Sequence, residues 1–117
     1  MKADVIVARC RDGHGGYGIR VEERDGGDWY STWAFATDEE RAARAGYGAD
    51  TQIGGILRLD SGFPGCPRCS APTFTVCYGC FKTTCWSGRA EWGTCQWCGH
   101  GGVPSGTINR FSSGNDA

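Results

Sequence analysis

Cys66-Pro67-Arg68-Cys69, Cys77-Tyr78-Gly79-Cys80 and Cys95-Gln96-Trp97-Cys98-Gly99 are three Cys-x2-Cys units, with Cys85 between the second and the third. The spacing has a physical reason. Two residues of tight turn let both thiolates converge on one tetrahedral ion, each about 2.3 Å from it. Backbone N–H groups of the same turn then face the sulfurs. Gly99, directly after the last Cys, suits such a turn because it has no Cβ. The chain carries 8 Cys in all, and only Cys10 lies outside this stretch.

Between the first and last units lie Thr73-Phe74-Thr75-Val76-Cys77 and Phe81-Lys82-Thr83-Thr84-Cys85-Trp86. These β-formers predict a hairpin. Knuckle, hairpin, knuckle is the layout of a zinc ribbon, and two Zn2+ are expected. In one pairing, Cys66, Cys69, Cys95 and Cys98 share an ion, while Cys77, Cys80 and Cys85 hold a second with His100 as fourth ligand. Cys10 and His14 are remote alternatives for that fourth position, and either would tie the N-terminal half to the metal lobe. In a sequential pairing, Cys66, Cys69, Cys77 and Cys80 form one site and Cys85, Cys95, Cys98 and His100 the other. An interleaved, cross-braced pairing is the third scheme. Taken alone, Cys10 also reads as a small buried hydrophobe in a strand, and His14 as an exposed turn residue.

Upstream, the β-branched run Asp4–Cys10, the alternating Tyr17–Glu22 and the aromatic Trp29–Phe35 predict an antiparallel three-stranded meander. Strand alternation puts Trp29 and Trp33 on one face and Tyr30 on the other, with core packing the expected use. Thr37-Asp38-Glu39-Glu40 reads as a capping box opening a short helix that ends at Gly46. A Gly-rich loop over 46–55 and a short strand at Ile56–Leu59 follow. The predicted fold is small α+β, mostly β: a meander with one short helix, packed with a zinc-ribbon-like lobe. Expected boundaries are 1–60 for the meander and helix, 61–100 for the metal lobe and 101–117 for a partly disordered tail.

Hydrophobic residues make up 39% and charged residues 21%, and 20 residues are Gly. Such a modest core calls for a staple, which a structural metal provides. No apolar run is long enough for a membrane span, and the Met1-Lys2-Ala3-Asp4 start shows no secretory pattern. A reducing cytoplasm, with thiolate ligands rather than disulfides, is therefore expected. The formal net charge is −1. Residues 1–60 carry 8 Lys+Arg against 11 Asp+Glu, a balance of −3, and residues 61–117 carry 4 against 2, a balance of +2.

All-thiolate sites are closed and polarise water poorly, and Glu91 is the only acid between 61 and 115. Catalysis and a small-molecule substrate are not expected. Gly13-His14-Gly15-Gly16-Tyr17-Gly18 lacks the Lys-Ser/Thr pair and helix of a phosphate loop. A protein-interaction module is the leading expectation, with one of Trp92 and Trp97 exposed as an anchor. A nucleic-acid-binding ribbon using Arg68, Lys82, Arg89 and Arg110 is the second candidate. A thiol redox protein using Cys77 and Cys80 is the third.

Ser61-Gly62-Phe63-Pro64-Gly65-Cys66-Pro67-Arg68-Cys69, Thr75-Val76-Cys77 and Gly93-Thr94-Cys95-Gln96-Trp97-Cys98-Gly99 together resemble the C-terminal metal-binding domain of tellurite-resistance TerY-type proteins. That domain is similar in pairing two knuckles around a cysteine-bearing hairpin. Gln96 stands where the family's second knuckle has Pro, and the middle pair is more widely spaced here. The resemblance covers about residues 60–100. It implies a scaffold domain of a bacterial stress or defence system, working beside von Willebrand A-type, kinase or phosphatase components.

Overall fold

A computed structural model describes residues 3–13, 15–24, 27–45, 52–77, 79–89, 92–102 and 108–112. Three strands open the chain: β1 (Ala3–Arg9), β2 (Gly16–Glu23) and β3 (Trp29–Ala36). They pair antiparallel in sequence order, which is the predicted meander. The Phe35 ring of β3 lies over Gly18, where a Cβ would fall 2.4 Å from that ring, so a larger residue here would displace the ring.

Helix α1 (Glu39–Arg44) then carries the chain across to β4 (Gln52–Leu59), which runs parallel to β3. The helix cap differs from the expected one. Asp38, not Thr37, caps it: Asp38 Oδ1 accepts from the Arg41 N–H at 2.8 Å. Thr37 is buried, and its carbonyl accepts from Arg68 at 2.9 Å, so it belongs to the end of the sheet. The Gly-rich segment is also shorter than expected, since residues 52–55 lie in β4. The proposed stop at Gly46 lies outside the described residues.

The hairpin of β5 (Thr73–Val76) and β6 (Thr83–Trp86) forms as predicted, and β6 continues the same sheet by pairing parallel to β1. At the far side, β9 (Ile108–Ser112) pairs antiparallel with β4. The seven strands run in the order β5-β6-β1-β2-β3-β4-β9. The two edges, β5 and β9, approach each other, so the sheet curls around its core. A separate two-stranded ribbon joins β7 (Gly93–Thr94) to β8 (Gly101–Gly102). Hydrogen bonding thus crosses the expected boundary at 60/61. Of the expected tail, Gly101–Gly102 and Ile108–Ser112 are strands, and the last residues, 113–117, where disorder is expected, lie outside the described ones.

Inside the curl sit Ile6, Ala8, Tyr17, Ile19, Val21, Trp29, Leu57 and Phe74, joined by Cys10, Cys66 and Cys85. Each fully buried Ile or Val here contributes about 1.5–3 kcal/mol. Trp33 departs from the expected face. Arg20 pairs with Trp33 and Val21 with Ser31, which leaves Thr32 as an extra residue on β3. This bulge reverses the alternation. Trp29 and Ser31 point into the core, and Trp33 points to solvent.

Candidate metal centres

The three Cys-x2-Cys units adopt one repeated loop. In each, the first Cys donates its N–H to the carbonyl five residues on: Cys66 to Ala71 at 2.8 Å, Cys77 to Lys82 at 3.0 Å, Cys95 to His100 at 2.8 Å. Its carbonyl accepts from the N–H four residues on, at Ser70, Phe81 and Gly99. Those three residues all take positive φ, at 67°, 58° and 81°. The N–H two residues on points at the first sulfur: Arg68 to Cys66 Sγ at 3.4 Å, Gly79 to Cys77 Sγ at 3.2 Å, Trp97 to Cys95 Sγ at 3.4 Å. An N–H aimed at sulfur favours the thiolate over the thiol.

Cys10 begins a fourth, related loop. Its N–H donates to Gly15 at 2.9 Å and its carbonyl accepts from Gly13 at 3.0 Å. Gly13 stands where a second Cys would complete the unit. This Cys-x2-Gly pattern, repeating the knuckle outline with one ligand missing, was the signal available in the sequence.

The sulfurs gather into two tetrads. Site one is Cys10, Cys66, Cys69 and Cys85; site two is Cys77, Cys80, Cys95 and Cys98. Within each, all four sulfurs lie within 4.8 Å of one another. Cys69 and Cys85 are 3.5 Å apart, Cys77 and Cys98 3.6 Å, and Cys80 and Cys95 3.6 Å. A tetrahedral ion with 2.3 Å bonds to sulfur needs sulfurs about 3.8 Å apart. All eight Cys are free thiols, so both donor sets fit a divalent, thiophilic ion such as zinc.

The pairing is the interleaved one. Neither the shared-knuckle nor the sequential scheme describes it, because β6 returns beside β1 and brings Cys85 to Cys10. His100 belongs to neither tetrad; it is exposed, and its carbonyl serves the third knuckle. His14 lies outside the described residues.

Site one is walled by the core. Cys10, Cys66 and Cys85 are 1%, 3% and 2% exposed. The Arg11 N–H donates to Cys85 Sγ at 3.2 Å. Arg68 braces the first knuckle on the sheet, its Nε donating to the Gly16 carbonyl at 3.0 Å. Burial pushes the Cys66 and Cys85 thiols up. At Cys69 burial opposes ionisation, but the Ala71 N–H and neighbouring thiols outweigh it and draw the thiol down. In site two, burial pushes the Cys80 thiol up. Four crowded thiols resist ionising together, and a divalent cation at the centre reverses that balance.

The third knuckle is docked on the sheet beside site two. Trp97 Nε1 donates to the Thr83 carbonyl at 2.8 Å. Arg9 lies over the Trp97 ring at 3.9 Å, and its Nη1 donates to the Gln96 carbonyl at 2.8 Å. The Gln96 N–H reaches Thr84 Oγ1 at 3.3 Å, a bond that Pro at this position could not make. Trp92 is 72% exposed, its ring resting on Gly101 of the small ribbon.

Among the described residues, no helix is long and apolar enough to cross a membrane. Comparison with protein families, with characterised proteins and with solved structures found no match to this chain.

Proposed function

We propose that this chain is a non-catalytic protein-interaction module held in shape by two Zn2+ ions. The observation that carries the reading is the pair of four-sulfur tetrads, three of whose knuckles aim backbone N–H groups at sulfur. Four thiolates close the coordination shell, so the ion has no open position to activate water. The metals would then act by fixing the chain, and the exposed Trp92, beside site two, is the side chain offered to a protein partner. The resemblance of the knuckle strings to those of TerY-type proteins supports a scaffold role in a bacterial stress or defence system. A von Willebrand A-type, kinase or phosphatase component would be the partner class.

Two observations weigh against the nucleic-acid reading. Arg68 is engaged with backbone carbonyls, and Lys82 is buried beside Trp97. Eight thiolates and two divalent ions add −4 to the formal −1, so the loaded chain carries −5. A redox dithiol at Cys77 and Cys80 is weakened by burial, which raises the Cys80 thiol where catalysis needs a low one.

Elemental analysis tests the reading directly. Two zinc per chain are expected, and cobalt substitution should give the absorption of tetrahedral thiolate coordination. A zinc-free, disulfide-bonded chain that keeps its fold would reject it. Tight, salt-steep binding to DNA would favour the ribbon alternative instead.

A further inference from the structure

The two tetrads differ in how solvent reaches them. In site two Cys98 is exposed, and Cys77, Cys80 and Cys95 are half-buried. Gly79 is exposed, and a Cβ there would sit 3.5 Å from Cys77 Sγ and 3.9 Å from Cys98 Sγ. That one hydrogen in place of a side chain leaves the Cys77–Cys98 pair uncovered on this side among the described residues. Gly99, next after Cys98, has nothing within 4 Å of where its Cβ would be, its chain neighbours aside. The two sulfurs are 3.6 Å apart. Thiolate character and access decide which cysteines oxidise. Zinc keeps these sulfurs as thiolates, and the glycines give access.

We infer that site two is an oxidative modification site: a peroxide oxidises Cys98, Cys77 closes a disulfide with it, and site two gives up its zinc while site one keeps its own. This rests on the two-zinc reading above. The Cys98 thiolate attacks the peroxide; an S–O bond forms, the O–O bond breaks, and hydroxide leaves. The Cys77 thiolate then attacks the sulfenic sulfur; an S–S bond forms, the S–O bond breaks, and a second hydroxide leaves. Two thiolates lose two electrons, the peroxide gains them, and two protons from solvent convert the hydroxides to water. Two remaining thiolates hold zinc too weakly to keep it. The third knuckle, which carries Trp97 and leads into the β7–β8 ribbon, loses its metal tie, so partner binding through Trp92 would respond to oxidant.

The test starts from the zinc content of the untreated full chain. Two zinc are expected; fewer would overturn the two-zinc reading and this inference with it. Hydrogen peroxide is then added with a chromogenic zinc indicator, and disulfides are mapped by peptide mass. The expected result is loss of one zinc of the two, a Cys77–Cys98 disulfide, and recovery of the site with dithiothreitol and zinc. Gly79→Leu keeps every ligand and should slow that loss by covering the pair. With two zinc present at the start, three results would each overturn the inference alone. They are release of both ions together, first oxidation at Cys10, Cys66, Cys69 or Cys85, and an unchanged rate in Gly79→Leu.

Discussion

Sites one and two have the same four thiols and the same knuckle loop, yet they hold different things together. Site one draws its ligands from the end of β1, from the first knuckle and from β6, so an ion there links two strands of the main sheet to a loop. Three of its four sulfurs are core residues. Site two is built from two knuckles, one between β5 and β6 and one between β7 and β8, and it opens to solvent. Donor chemistry alone therefore does not set the role of a metal site. What the ligands are attached to sets it: an ion at site one would fasten the fold, and an ion at site two would fasten an appendage to it.

The largest expected effect follows from that contrast. A structural zinc contributes about 10–16 kcal/mol of apparent binding energy at neutral pH, comparable to the roughly 5–15 kcal/mol that stabilises a whole domain. Cys85→Ser should abolish the cooperative thermal transition of the entire chain. Cys98→Ser should keep one zinc and a cooperative transition of the sheet, losing only the third knuckle. Calorimetry and zinc content on both variants would decide. Equal damage from the two substitutions would break the distinction.

Protons compete at both sites. Burial raises the Cys66 and Cys85 thiols of site one and the Cys80 thiol of site two. Metal uptake must expel these protons, so acid weakens binding and base strengthens it until the thiols would ionise unaided. With four protonated thiols, the logarithm of the affinity should fall by about four for each pH unit below the thiol range. Proton release during zinc titration in weak buffer measures this for each site. A slope nearer three at site two would mean that one of its sulfurs does not bind; at site one it would mean that or a Cys69 thiol already ionised, since that thiol is drawn down.

Two glycines separate the sites on a smaller scale. Gly65, ahead of the first knuckle, has φ 88°, and a Cβ there would lie 2.6 Å from the Ala71 carbonyl oxygen. That carbonyl closes the loop by accepting from Cys66. Gly65→Ala should cost about 1–3 kcal/mol, since backbone on both sides must shift. Gly99 has φ 81° but open space around it. Ser70 and Phe81 already occupy the matching place in the other knuckles, so Gly99→Ala should cost only about 1 kcal/mol. Chemical denaturation of the two variants would reveal the order, and a reversal would contradict the loop equivalence.

The parts legible in the sequence were those governed by local rules. Turn spacing reveals the three knuckles, and runs of β-forming residues, with alternation in Tyr17–Glu22, reveal the meander and the β5–β6 hairpin. The pairing of ligands was not local. It depends on β6 lying parallel to β1, a contact between residues more than seventy positions apart that no spacing encodes. Cys10 is legible only as a remote candidate for a fourth ligand that ties the N-terminal half to the metal lobe; it takes that place with Cys66, Cys69 and Cys85, a set its strand-end position, with Gly13 in place of a partner, does not reveal. Trp33 was misplaced because one extra residue, Thr32, shifts the parity of β3. Thr37 has the chemistry of a helix cap, but Arg68 takes its carbonyl and Asp38 takes the role.

The finest distinction concerns how site two is attached. Trp97 is the joint: its indole N–H donates to the Thr83 carbonyl of β6, and its ring carries Arg9 of β1 at 3.9 Å and Lys82 at 5.4 Å. Trp97→Phe keeps an aromatic ring and all four ligands but loses the donor and much of the attraction for the cations. The expected cost is about 1–2 kcal/mol. Because the ion still holds the knuckle, two zinc should remain bound. The loss should surface as faster amide hydrogen exchange at the knuckle N–H groups of Cys95 and Gly99, with β1 and β2 as protected as before. Were exchange to rise equally across β1 and β2, the knuckle would be part of the sheet's own cooperative unit. An ion at site two would then fasten the fold just as one at site one would.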